Sequence, residues 1–120
     1  MELTEGKPFN IYIGYDSRHE ELPKVSRNSI LRHLNGHRSR GMSDLECFKP
    51  EIKFLDKSKI PEYTREYAGQ STEFTYSRFL IPYLEDYKGI SLFIDDDMIF
   101  TKSPLPLFMF LHPDDAVAVC

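Results

Sequence analysis

One stretch limits the folds open to this chain more than any other. Ser91-Leu92-Phe93-Ile94 runs straight into Asp95-Asp96-Asp97, and Met98-Ile99-Phe100 comes next. A short continuous apolar run reads as a buried strand of the kind found inside a parallel sheet. Three carboxylates cannot lie dry in that sheet without partners. The strand must therefore stop at them, where solvent or a ligand begins. Alternate side chains of an extended segment share a face, so Asp95 and Asp97 are expected to project to one side. Two carboxylates held close repel each other and make a place for a cation. Hard oxygen donors suit magnesium, manganese or calcium. In open α/β sheets, ligands bind beyond the carboxyl ends of the strands. A solvated acidic turn is the plainer alternative, but three aspartates at the end of an apolar strand favour the metal site.

The rest of the chain supplies a frame for such a strand. Phe9, Ile11 and Ile13 alternate with Asn10 and Tyr12, which predicts a strand over residues 9–14. Gly14 allows a tight turn and a close approach, and Asp16 or Ser17 can cap the helix after it. That helix is expected from about Arg18 to Leu34, with Val25, Ile30, Leu31 and Leu34 buried. Pro23 fits a first turn, so the start falls nearer Glu21. Asn35-Gly36 is a stop signal. Residues 36–50 lack periodicity and read as a mobile, solvated loop whose Arg38 and Arg40 could touch an anion. Glu51 to Leu55 alternates as a second strand, parallel to the first by the βαβ order. Residues 56–70 are irregular and polar, with room for a helical turn.

Ser71 or Thr72 can cap a helix over residues 72–87, and Glu73 suits its positive end. Tyr76, Phe79, Leu80, Tyr83, Leu84 and Tyr87 recur at helical spacing and form the expected buried stripe. Pro82 predicts a kink or a restart. Arg78 lies off that stripe, where it can face the acidic site. Lys88-Gly89 ends the helix, Leu107 to Phe110 make a short apolar helix or turn, and Ala116 to Cys120 resemble a further strand. The expected fold is α/β with a mostly parallel sheet. Ending on a strand implies a domain cut short at its C-terminus, or an open sheet edge through which a partner or a second copy could associate.

Composition narrows the function classes. The chain has 120 residues, 41% hydrophobic and 28% charged, which fits one compact globular domain. The net charge of -4 argues against nonspecific nucleic-acid binding. Residues 1–50 carry eight basic and seven acidic side chains, whereas residues 51–120 carry seven and twelve. The second half would thus need a metal bridge to hold phosphates. Cys47 and Cys120 form neither a disulfide framework nor a zinc motif. The polar N-terminus is no signal peptide and no apolar run could span a membrane, so a reducing, cytoplasmic setting is expected.

Three segments together resemble metal-dependent glycosyltransferases of the GT-A fold, closest to the family 8 type. They are Ile11-Tyr12-Ile13-Gly14-Tyr15-Asp16, the run Ser71 to Leu84 containing Tyr76-Ser77-Arg78-Phe79-Leu80-Ile81-Pro82, and Leu92-Phe93-Ile94-Asp95-Asp96-Asp97. The last is similar to the Asp-X-Asp motif of that family. The segments cover about a third of the chain in the family's order. The resemblance implies a Rossmann-like nucleotide-binding half and a hexosyltransferase-like enzyme. It implies transfer of a sugar from a nucleotide-sugar, a UDP-sugar first, to an unassigned sugar, protein or lipid acceptor. Asp95 and Asp97 would hold manganese or magnesium, Asp96 would face the ribose or sugar, and Arg78 would reach the phosphates. Tyr15 and Asp16 would hold the base, with His19 beside it. The family's third metal ligand is a histidine well downstream. His112 is the only histidine after Asp97, at a spacing that does not match. Without an acceptor half, these 120 residues are expected to bind donor weakly and to transfer poorly. The competing readings are a haloacid-dehalogenase-type phosphatase, with Asp114-Asp115 as its later acidic pair, and a non-catalytic nucleotide or metal-binding fragment.

Overall fold

The computed structural model describes residues 9–38, 50–64 and 72–109. Among them lies a three-stranded parallel sheet of order β2-β1-β3. Its strands are β1 (Phe9–Gly14), β2 (Glu51–Leu55) and β3 (Ile90–Ile94). The helices are α1 (Glu21–Arg38), the four-residue α2 (Ile81–Leu84) and the five-residue α3 (Leu105–Met109). The α/β class and the parallel pairing agree with the sequence reading. The expected strand over Ala116 to Cys120, most of the loop 36–50, residues 65–70, His112 and Asp114-Asp115 lie outside the described residues.

The central strand β1 is buried along its length, because it is covered on both faces and flanked on both edges. Tyr12 lies opposite Lys53 on one side and Phe93 on the other. Alternation gives the sheet two unlike faces. One carries Phe9, Ile11 and Ile13, which pack with Ile30, Ile94, Leu105 and Phe108. Phe9 and Phe108 stack with ring centroids 4.7 Å apart. Burying each such side chain contributes about 1.5–3 kcal/mol, so this face anchors α1 and α3. The other face carries Asn10, Tyr12 and Gly14. It packs against Leu55, Ile60, Phe74 and Ile81.

Two helix expectations are corrected. Over residues 21–34 of α1 the buried residues are Pro23, Ser26 and Ile30, with Leu34 partly buried against the core, while Val25 and Leu31 are exposed. The helix begins at Glu21 with Pro23 in its first turn, and its inner face meets the backbone carbonyls of Asp96 and Met98, to which Ser26 donates. It also runs past Asn35-Gly36 to Arg38, because a helical glycine costs only about 1 kcal/mol. Residues 72–87 are not one kinked helix. Turns lead into a 3-10 segment, Ser77–Leu80, and then α2, which Pro82 restarts from its first turn. Most of the expected stripe faces outward, with Phe79 75% and Tyr87 76% exposed and Tyr76, Tyr83 and Leu84 exposed as well, whereas Leu80 packs partly against the core. The buried residues are Phe74, Ser77 and Ile81.

A left-handed pair, Asp86 (φ 55°) and Tyr87 (φ 57°), followed by Gly89 (φ 77°), turns the chain into β3. Non-glycine residues there cost of order 1–3 kcal/mol each, so the turn must be held. The Tyr87 N–H donates to the Pro82 carbonyl at 2.8 Å and the Asp86 N–H to the Tyr83 carbonyl at 3.1 Å. The Glu85 carboxylate accepts from Asn10 Nδ2 at 3.0 Å, from Lys53 Nζ at 2.8 Å and from the Tyr12 hydroxyl. Burial works against the charged form of Glu85, but these donors outweigh it and hold the carboxyl below its ordinary value.

Candidate functional site

The carboxyl ends of β1 and β3 are adjacent, and the residues singled out in the sequence gather there. Ile13 pairs with Ile94, so Tyr15-Asp16 and Asp95-Asp96-Asp97 leave the sheet side by side. Asp16 is fully buried. Its Oδ1 accepts from the Arg18 backbone N–H and from Arg18 Nε, both at 2.9 Å. Its Oδ2 accepts from Arg18 Nη2 at 2.5 Å and from the Glu73 N–H at 3.2 Å. The bonds to the Arg18 side chain, against the opposing effect of burial, hold this carboxyl well below the usual carboxylate range. Glu73 completes the arrangement by accepting from the Ser17 N–H at 3.1 Å and from Ser17 Oγ at 2.6 Å. Asp16 thus fastens the segment starting at Thr72 to the end of β1. Direct contact with a ligand would require it to give up one of these donors.

Tyr15 is half-buried and stacks on Phe54 with centroids 6.1 Å apart, while its hydroxyl donates to Glu20 at 2.8 Å. His19 is exposed on the turn that Asp16 caps. Arg78 crosses from the 3-10 segment to the end of β3. Its guanidinium lies 4.8 Å from the centroid of Phe93, and Nη2 is 3.7 Å from Asp95 Oδ1. Arg78 Nε is buried with no hydrogen-bond partner among the described residues.

Within the acidic turn, Asp95 and Asp97 are exposed and Asp96 is buried. The expectation that Asp96 faces a sugar meets this burial, for its side chain turns into the protein. Burial pushes the Asp96 carboxyl above its ordinary value, and Asp97, Asp16 and Asp95 push it further in the same direction. Negative charge is therefore concentrated at this end of the sheet. Among the described residues, no group of three or more His, Cys, Asp or Glu side chains is placed to hold a metal ion. A cation here would have two protein carboxylates, Asp95 and Asp97, and would need its other ligands from water or substrate.

The sequence reading missed Arg18 and Glu73 as the partners of Asp16. The Asp-x-Arg spacing at a helical turn was the available signal for the first. It also missed Ser26 and Ser29, which bond to the backbone just after the aspartates. No helix among the described residues is long and apolar enough to cross a membrane.

No family model matches the chain, and no solved structure matches it. Among curated proteins, Protein CDI of Arabidopsis thaliana is 37% identical over 99 residues, covering 81% of this chain and 34% of that relative. The chain therefore spans about a third of the length of the curated relative it matches.

Proposed function

We propose that this chain is the donor-binding part of a metal-dependent glycosyltransferase of GT-A type, with a nucleotide-sugar, a UDP-sugar first, as its substrate. One observation carries the reading. Arg78 lies 3.7 Å from Asp95 at the carboxyl end of β3, although 17 residues separate them in sequence (95 − 78). A cation and a carboxylate pair beside a strand end is what a diphosphate with its metal would need. Asp95 and Asp97 would hold manganese or magnesium. The donor set fits such an ion, since magnesium is commonly bound through one or two carboxylates plus substrate phosphates. When bound, the ion would neutralise the diphosphate and stabilise the charge that develops on it as leaving group. Arg78 would contribute to the same stabilisation through its guanidinium, which reaches the acidic turn by Nη2. Tyr15, on the shelf it forms with Phe54, would receive the base. Asp16 would act indirectly, by holding Arg18 and the Glu73 backbone in place.

The test is calorimetric titration of UDP into the chain with manganese and then with EDTA. Binding is expected only with the metal, and Asp95→Asn with Asp97→Asn should remove it. Equal binding by that double variant, or binding that ignores EDTA, would refute the assignment.

A further inference from the structure

We infer that Ser26 and Ser29, one turn apart on α1, are positioning residues that fix the backbone of the aspartate turn and with it the placing of Asp95 and Asp97. The inference rests on the metal reading of those two carboxylates. The pairing of β3 with β1 ends at Ile94, so the aspartate turn lies beyond the ladder. Helix α1 takes over. Ser26 Oγ donates to the Asp96 carbonyl at 3.1 Å and to the Met98 carbonyl at 2.5 Å. A hydroxyl has one proton, so two carbonyls converge on a single shared donor. They fix the peptide planes that bracket Asp97 and Met98. Ser29 Oγ accepts from the Phe100 N–H at 2.9 Å and donates to the Ser26 carbonyl at 2.7 Å. Backbone groups at residues 96, 98 and 100 are thereby pinned to one face of one helix.

This pinning has a purpose only if the turn would otherwise move. Asp95, Asp96 and Asp97 are consecutive and repel one another, and opening the turn would relieve that repulsion. Ser26 is 1% exposed, so water cannot readily replace its bonds. A small hydroxyl also fits the tight approach of α1 to the turn, where the expected apolar face of the helix would leave both carbonyls without a donor. Groups that orient metal ligands in this way commonly change metal affinity when they are removed.

The experiment uses the full chain as wild type, Ser26→Ala, Ser29→Ala and Ile30→Val. Free manganese is measured by its paramagnetic resonance during titration with Mn2+ alone, and exchange of the Phe100 amide is followed by NMR without metal. Ser26→Ala is expected to weaken Mn2+ binding about 10-fold or more. Ser29→Ala should make the Phe100 amide exchange at least about 10-fold faster, since its acceptor is gone. Ile30→Val trims the core on the same helix while leaving every serine bond to the turn in place, and should leave both readouts close to wild type. A folded Ser26→Ala that binds Mn2+ like wild type overturns the inference while the metal reading stands. Absence of Mn2+ binding by wild type sinks the metal reading instead. The exchange data then decide the pinning alone, and an unchanged Phe100 amide in Ser29→Ala overturns it. Should Ser26→Ala fail to fold, Ser29→Ala, at a half-buried position, carries both measurements.

Discussion

Replacing Gly14 with alanine puts the junction of sheet and site under a defined strain. Gly14 ends β1, and a β-carbon there would lie 2.7 Å from Cδ1, Cδ2 and Cε2 of the Phe74 ring. Ordinary contact begins near 3.4 Å, so the ring would have to retreat by about 0.7 Å. It has little room, because Phe74 is 1% exposed and sits among Tyr12, Leu55, Ile60 and Ile81. Its backbone is held as well, through the bond from the neighbouring Glu73 N–H to Asp16. Overpacking of this kind costs about 1–3 kcal/mol, and the hemmed ring places Gly14→Ala in the upper part of that range. Alanine also restricts the unfolded chain, which returns about 0.4–1 kcal/mol. The net loss should be about 1–2 kcal/mol. Urea unfolding followed by circular dichroism would show it as a fall in the midpoint of about 1 M. In a Phe74→Leu background the same alanine should cost less, because the ring that it strikes is gone. If Gly14→Ala matches wild type, or if the double mutant shows no coupling, the contact does not limit the packing and the reasoning fails.

Acid should act on stability in two opposed stages. Asp16 and Glu85 have depressed carboxyls, so their stabilisation is present above their ordinary values of 3.8 and 4.5 and is lost as pH falls below them. Asp96 is shifted upward and takes its proton earlier, which adds stability as pH falls toward its ordinary 3.8. Metal-free urea midpoints should therefore hold or rise slightly on mild acidification and drop below about pH 4; a steady fall from neutrality would contradict these signs. The two faces of the 72–87 segment should also respond differently. Ile81→Ala is expected to cost about 2–4 kcal/mol by thermal unfolding, whereas Phe79→Ser on the exposed face should stay within about 0.5 kcal/mol.

The strands were legible because their signals are local. Alternation over Phe9 to Ile13 and over Glu51 to Leu55, and the apolar run before Asp95, correspond to the strands that form and pair in parallel. The gathering of Asp16 and the aspartates at one sheet end followed from the parallel order of the strands. What could not be read was which partner each polar group would take. Asp16 is an available carboxylate in sequence, yet the fold surrounds it with donors from Arg18 and Glu73. Val25 and Leu31 are as apolar as Ile30, but only the arrival of residues 96–100 on the inner side of α1 decides that Ser26 is buried there.

The 72–87 segment shows why apolar periodicity chose the wrong face. Phe74, Ser77, Arg78, Ile81 and Glu85 also recur at helical spacing, on the side away from the aromatic stripe. That mixed face contains the groups that meet the sheet, and the reason lies in what the sheet offers. The face of β1 beneath the segment carries Asn10, Tyr12 and Gly14, with Lys53 beside Tyr12. A wholly apolar stripe would have buried Asn10 Nδ2 and the Tyr12 hydroxyl without an acceptor, and each unpaired buried group costs about 1–3 kcal/mol. Glu85 supplies that acceptor to both, and also pairs with Lys53 Nζ. At the other end, Phe74 fills the space left by a residue with no side chain, and Arg78 lies on Phe93 with its charge toward Asp95. Complementarity to a polar sheet face therefore outweighs the burial of five exposed aromatic and aliphatic side chains, Tyr76, Phe79, Tyr83, Leu84 and Tyr87. The same choice brings Arg78 to the aspartates. The polar residues of β1 and β2 lie well away from the acidic turn, yet they decide which face of the segment turns inward and hence whether the site has its cation.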